Sequence, residues 1–362
     1  MIKGAGEIYA TVFETVDFVE MFEKVIGRLP LEIAFLNQKV MRTVVHSLWP
    51  AAIGAIYFFG WRVLAVMAVS MLTCVLTEWM FVRNKKPGKV SEAVFVTAVL
   101  YAMTLPPTIP FPMVILGAMF GITFGKMAFG GFGMNVFNPA LVGRAFVYIT
   151  FPTYATARWI PAANFSDFPG GFLAWLYSPG RASVEAVTAA TPLSAFRSGA
   201  ESLPSYWQMF FGNTNGQFET LGEITQIGGG SIGESSVFLI ALGGIYLLYK
   251  KAANWKIAAA FFGAFWVLQS IFHIADPAKA GNVLFGLFAG GVVFAGFYML
   301  TDPVSGPRTE AGYVFFGVLV ALLTILIRAY SLFAGGVMFA VLLGNTFSPI
   351  IDYAVKNLKN NT

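Results

Sequence analysis

Ten stretches of the chain are apolar enough to be read as membrane-crossing helices. They cover residues 44–59, 63–82, 93–105, 112–129 and 140–151, then 235–249, 257–272, 283–300, 311–328 and 331–343, the last continuing towards Tyr353. A straight crossing needs about 20 residues, and a kinked one fewer. Several runs are short and interrupted by Gly or Pro, which predicts broken helices. The expected fold is therefore an all-α integral membrane protein with about ten transmembrane helices. The runs fall into two groups of five, separated by a long polar segment at 152–234. An amphipathic segment carrying both charge signs, 1–43, precedes them, a composition unlike that of a cleaved leader. A polar tail, 356–362, follows.

The two groups echo one another. Ala52 to Tyr57 in the first run reads like Ala241 to Tyr246 in the sixth. Tyr101 to Pro106 closes the third run much as Tyr298 to Pro303 closes the eighth. Asn135, Asn138 and Pro139 before the fifth run match Asn345, Ser348 and Pro349 in the tenth. Residues 44–151 and 235–355 are thus expected to be two five-helix repeats. Five is odd, so the second copy is inverted in the membrane, and inverted repeats place binding sites near their mutual interface, often at broken helices.

Charge orients the bundle. Arg83, Lys85, Lys86 and Lys89, then Lys250, Lys251 and Lys256, then Lys356 and Lys359 all fall on one side if there are ten spans. The positive-inside rule makes that side cytoplasmic, with both termini there. The 152–234 segment then faces outward. The composition agrees: 57% of residues are hydrophobic and only 11% charged, too few to cover a soluble core. The net charge of +5 is explained by these loops and does not call for nucleic-acid binding. A single cysteine, Cys74, excludes an internal disulfide, a four-cysteine iron–sulfur site and a structural zinc site. His46 and His273 are too few for a haem or metal centre.

Three sets of residues carry candidate chemistry. The first is the small-residue stretch from Glu185 to Leu193 in the outward segment, where Pro192 biases Thr191 towards extended backbone. The second surrounds the fifth run. Gly130, Gly131 and Gly133 permit close backbone approach, and Pro139 suits a first helical turn with Asn138 as its cap. Asn135 and Asn138, three apart, present amides that both donate and accept, which suits a heteroaromatic edge. The third is acidic: Glu78, Asp302 and Asp352, each near the end of a run. A carboxylate at membrane depth costs at least about 2.5 kcal/mol and is a functional candidate on that ground, though one near a span end can also reach water. Arg144 and Arg328 are available to balance these charges or to hold a ligand. Gly117, Gly121 and Gly125 form a close-packing stripe.

The first two motifs resemble those of a known family. Glu185, Thr188, Ala189, Ala190 and Thr191 are similar to the flavinylation motif shared by the B-type membrane component of sodium-pumping NADH:quinone reductase and the D-type membrane component of the Rnf complex. Glu185 stands where Asp is usual, and Ala189 where Gly is usual. The resemblance implies FMN joined to Thr191 through a phosphoester by a dedicated transferase, with Thr188 and Ala190 completing the motif. The second motif resembles the site of a non-covalent riboflavin, which implies that role for Asn135 and Asn138. It also implies flavin contact for Asp302 and sodium uptake for Glu78 and Asp352. The resemblance spans about residues 40–355. Phe137 to Phe146 and the long N-terminal segment look more like the quinone-reductase component. A respiratory, sodium-translocating role with quinone as acceptor, in a bacterial inner membrane among other complex subunits, is therefore the preferred reading. The Rnf component, linked to ferredoxin and to Na+ or H+, is the alternative. A channel or transporter without redox work is the reading from another class. No nucleotide-binding motif is present, so NADH oxidation is expected on another subunit.

Overall fold

A computed structural model describes residues 17–27, 33–86, 88–157, 160–175, 190–200, 203–214, 216–220, 223–331 and 335–360. Each of the ten apolar runs contains helix among the described residues. Ahead of them lies α1, Phe18–Ile26, capped by Asp17, whose carboxylate accepts from Glu20 N at 3.0 Å. The first run folds as two helices, α2 Lys39–Ser47 and α3 Trp49–Phe59, that meet at Leu48. Then come α4 Arg62–Val82, α5 Ala93–Met103, α6 Phe111–Gly125 and α7 Pro139–Thr150. The polar segment contributes the short helices α8 Pro192–Arg197 and α9 Tyr206–Phe211. The second half holds α10 Val237–Tyr249, α11 Trp255–Ala275, α12 Val283–Phe288, α13 Val292–Phe294, α14 Glu310–Tyr330 and α15 Val337–Asn360.

Strands are few among the described residues. β1 Phe35–Leu36 pairs in parallel with β2 Val90–Ser91, and β3 Gly216–Thr220 forms an antiparallel hairpin with β4 Glu223–Ile227. The chain is an all-α, multi-pass membrane protein. Five helical segments are long and apolar enough to cross a membrane, and Ala93–Met103, Pro139–Thr150 and Val237–Tyr249 are shorter apolar helices. The eighth run is the most broken: α12 ends at Ala289, Gly290 and Gly291 take left-handed backbone, and α13 runs into a wide π-type turn, Ala295–Met299. The tenth run, expected to continue towards Tyr353, is helical from Val337 through Pro349 to Asn360.

Packing repeats between the halves. α6 lies along α7 as α14 lies along α15, and α4 packs on α6 as α11 packs on α14. Matching runs from the two halves also meet, α3 on α10 and α7 on α15. The glycine stripe sets the α6–α7 distance. A Cβ on Gly121 would stand 2.6 Å from the Pro139 carbonyl and 3.1 Å from Gly143 N, so backbone meets backbone there. Cys74 is buried and free.

A cluster of charges ties α1 to the bundle. Arg42 on α2 grips Glu92 with Nε at 3.0 Å and Nη2 at 2.6 Å, and reaches Asp17 with Nη1 at 3.0 Å. Glu92 also accepts from Gln38 N at 2.7 Å. Glu23 lies at the edge of this group, 3.6 Å from Arg42 Nη2. Burial, then the Glu92 carboxylate, push its carboxyl from 4.5 up to about 7, with Arg42 opposing.

Two outcomes follow. Gly121→Leu forces α6 and α7 apart and lowers stability in detergent by about 1–3 kcal/mol or more, seen as a lower melting temperature; an unchanged one refutes the contact. The Glu23 carboxyl takes up its proton more readily when α1 is docked. Its stabilisation is complete below pH 4.5 and lost as pH rises through about 7. Amide exchange in α1, corrected for intrinsic rate, is therefore slower at pH 6 than at pH 8. Glu23→Gln removes that dependence and slows exchange at pH 8 by an amount on the order of 1 kcal/mol after solvent screening.

Candidate functional site

The loop from Lys126 to Asn138 leaves α6 and returns to α7 without regular helix beyond the single turn Met127–Phe129. Gly130, Gly131 and Gly133 all adopt positive φ, which lets the loop fold tightly against the bundle. Asn138 caps α7, as its place before Pro139 predicts: its Oδ1 accepts from Ala140 N at 3.0 Å. Asn135 Nδ2 donates to Phe137 O at 3.1 Å. Asn345 on α15 reaches the same place from the other half. Its amide oxygen accepts from Asn138 N at 3.1 Å while its nitrogen donates to Val341 O at 3.3 Å.

These asparagines border a cleft with a cavity volume of about 60 Å³. Both halves line it: Val44, Leu100, Lys126, Phe132, Asn135 and Asn138 from the first, Leu247, Tyr298, Thr301 and Asp302 from the second. Tyr298 crosses between halves, donating to Ser47 O at 3.0 Å. Asp302 is held in a turn by Val304 N at 3.1 Å and Ser305 Oγ at 2.7 Å. The structure thus joins three residues singled out in the sequence, Asn135, Asn138 and Asp302. It adds Lys126, Tyr298 and Thr301, which sequence reasoning passed over. Lys126 had a usable signal, as a single cation at the end of an apolar run.

Glu78 lies next to this cleft, behind Lys126. Its Oε2 accepts from Lys126 Nζ at 2.6 Å, and its Oε1 from Ser91 N at 3.0 Å and Ser91 Oγ at 2.8 Å. Lys126 Nζ also donates to Ser91 Oγ at 2.6 Å. Both charged side chains are 2% exposed. A buried pair is sustained only when its remaining donors and acceptors are met, and Ser91, placed by the β1–β2 pairing, does that for Glu78.

The other candidates lie apart. Asp352 on α15 accepts from Arg308 N at 2.8 Å, Thr309 N at 3.0 Å and Thr309 Oγ1 at 2.6 Å, stapling the loop before α14 to the last helix. Arg144 sits two turns along α7 from Asn138, over the Tyr148 ring and outside the cleft lining, with Nη1 buried and without a partner among the described residues. Arg328 Nη1 donates to Gly286 O at 2.8 Å and Nη2 to Ala289 O at 3.0 Å, bracing the break after α12.

Thr191 is at the opposite end of the bundle. Its backbone is extended, with ψ at 152°, and it caps α8 by accepting from Ser194 N at 3.1 Å. Its hydroxyl donates to Ser194 Oγ at 2.9 Å. The Ala190 carbonyl is fixed by Gly228 N and Gly229 N, both at 3.2 Å. Thr188 and Glu185 lie outside the described residues. Leu193 packs beside Gly290 and Arg328, at the far end of α14 from the Asp302 turn. From Glu310 to Arg328 that helix rises about 27 Å, which separates the two sites.

The sequence model of the NQR2, RnfD, RnfE family matches residues 34–360. The chain belongs to that family. Among its relatives is the D-type component of the proton-translocating ferredoxin:NAD(+) oxidoreductase complex of Clostridium ljungdahlii. The two are 34% identical over 328 residues, a match that spans 90% of this chain and 92% of that one. Identity to the D-type component of the ion-translocating oxidoreductase complex of Halorhodospira halophila is 32% over 343 residues, 91% and 92% of the two chains. For the same component in Aliivibrio salmonicida it is 30% over 338 residues, 88% and 93%. Within the NQR2, RnfD, RnfE family these relatives favour the Rnf-type component over the quinone-reductase component preferred from the sequence. Short runs such as 137–146 carry less information than a match along nine-tenths of both chains.

The geometry assigns Asp352 a measurable structural share. Asp352→Ala leaves two backbone N–H groups without their acceptor and lowers stability by about 1–3 kcal/mol, read as an earlier thermal transition in detergent. A variant with wild-type stability that fails in ion transport shows instead that the carboxylate serves the ion.

Proposed function

We propose that the chain is the D-type, flavin-carrying membrane component of an ion-translocating oxidoreductase that moves electrons between ferredoxin and NAD(+). The observation that carries this reading is the pair of sites at opposite ends of one bundle. Thr191 presents a hydroxyl outside, and the cleft between the halves presents amides, a hydroxyl and an ammonium inside. FMN joined to Thr191 by a transferase occupies the outer end, and a non-covalent riboflavin-class ligand occupies the cleft. The chain sits in the bacterial cell membrane with both termini cytoplasmic, among the other subunits of its complex.

The residues fit these groups. The cleft combines apolar walls with a few placed polar groups, the pattern of small-molecule sites. Phe132, Val44 and Leu100 offer the walls. Asn135, Asn138 and Thr301 offer the mixed donors and acceptors that a flavin ring edge requires. At the outer end, esterification of Thr191 removes its donation to Ser194 Oγ and leaves its oxygen to cap α8. When bound, flavins supply the electron chemistry; the protein supplies position, access and electrostatics. Here Asn135 and Asn138 orient the ligand, and the apolar walls exclude water. Na+ or H+ is the translocated ion. A quinone-reducing complex is the second reading, supported by the likeness of residues 137–146 to the quinone-reductase component.

A denaturing gel of the purified chain under ultraviolet light tests the covalent site. A fluorescent band is expected in the wild type and is lost in Thr191→Ala, which still inserts in the membrane. A dark wild-type band, from cells that make the transferase, leaves the non-redox transporter as the better reading.

A further inference from the structure

Lys126 has one donor more than its visible partners use. An ammonium carries three N–H bonds, and among the described residues two acceptors are within reach, Glu78 Oε2 and Ser91 Oγ, both at 2.6 Å. The same side chain lines the cleft, with Nζ 5.9 Å from the centre of the Phe132 ring that forms part of its wall. A fully buried ion pair thus has one partner facing a ligand cleft and the other behind it, held by Ser91. Among the described residues, two further ionisable groups interact with the pair: Cys74 on α4, a neutral thiol beside both partners, and Asp302 across the cleft, which feels Lys126.

Resting on the flavin reading of the cleft, we propose that Lys126 is a positioning residue that makes the charge of the cleft ligand felt at Glu78. Negative charge in the cleft draws the ammonium towards the ligand and lengthens its contact with Glu78. At Lys126 itself no covalent bond changes; one hydrogen bond is exchanged for another. Electrons reach the ligand from a reduced carrier of the complex, or from dithionite in a titration. The Glu78 carboxylate, still held by Ser91, is left buried without its cation, a state so costly that it takes up a proton or a small monovalent cation. When the negative charge leaves, Lys126 returns and expels that cation. The coupling follows from charge balance in a low dielectric, where a buried carboxylate cannot remain unpaired.

The test uses the full chain in detergent with Thr191→Ala as background, so that only riboflavin added to the cleft is titrated. Its midpoint potential is measured against pH and against sodium concentration. Riboflavin takes up protons of its own on reduction, so its pH dependence in free solution is the baseline: in the parent, a pH dependence steeper than that baseline marks the cation as a proton, and dependence on sodium at fixed pH marks it as Na+. Lys126→Met combined with Glu78→Gln removes both charges and leaves no unpaired ion to unfold the site. This variant is expected to bind riboflavin, to lose the sodium dependence or the pH dependence in excess of free riboflavin, and to bind reduced over oxidised riboflavin on the order of tenfold less favourably than the parent, the loss of one charge-assisted hydrogen bond. Lys126→Arg retains the dependence. A double variant that binds riboflavin with the parent's potential and cation dependence overturns the proposal and leaves the flavin reading intact. A folded parent that binds no riboflavin overturns both.

Discussion

Hydrocarbon offers no hydrogen bonds, so every backbone N–H and C=O at membrane depth must find its partner within the protein. That constraint governs where this chain can break its helices. After α12 the exposed carbonyls of Gly286 and Ala289 are met by Arg328. Before α7 the free N–H of Ala140 is met by Asn138, and that of Asn138 by Asn345. Before α14 the N–H groups of Arg308 and Thr309 are met by Asp352. Each break is thus held by a polar side chain that reaches it from another helix, Arg328 on α14 and Asn345 and Asp352 on α15.

The cleft is a consequence. The loop at 126–138 and the Asp302 turn are the irregular stretches that meet between the halves, and irregular backbone within a bilayer is tolerated where it lines a cavity or is buried in protein. Tyr298, hydrogen-bonded to Ser47, joins the halves across it. Close α6–α7 contact through Gly121 brings the start of α7, and with it Asn138, against the rest of the first half. The same logic applies to charge. Lys126 and Glu78 are tolerable only together, and Ser91 completes them because the β1–β2 pairing sets its place. The Arg42–Glu92 pair anchors the neighbouring backbone, so the structure around the cleft is held by electrostatics as well as by packing.

Much was legible in the sequence because hydropathy and helix signals are local. The ten apolar runs, the cap role of Asn138, the extended backbone at Thr191 and the tight packing of the glycine stripe all follow from residue type and immediate neighbours. The tenth helix passes Pro349 on its way towards Tyr353, as the run implied, because proline removes one N–H but does not forbid helix on either side of it. The roles of the acids were less legible. Glu78, Asp302 and Asp352 look alike along the chain, each near the end of an apolar run. In space they differ: one is paired with a lysine, one lines a cleft, one caps a loop.

The sequence by itself determined that this is a multi-pass helical membrane protein, because that property is written in runs of apolar residues and scattered charges. Only the tertiary structure decided which polar residues share a site. Lys126 and Glu78 are 48 residues apart, and Asn138 and Asp302 are further still. Their meeting depends on how the halves pack, on glycine contacts and on helix breaks. A hydrogen bond is a fact about distances between atoms, and residue order alone does not contain it.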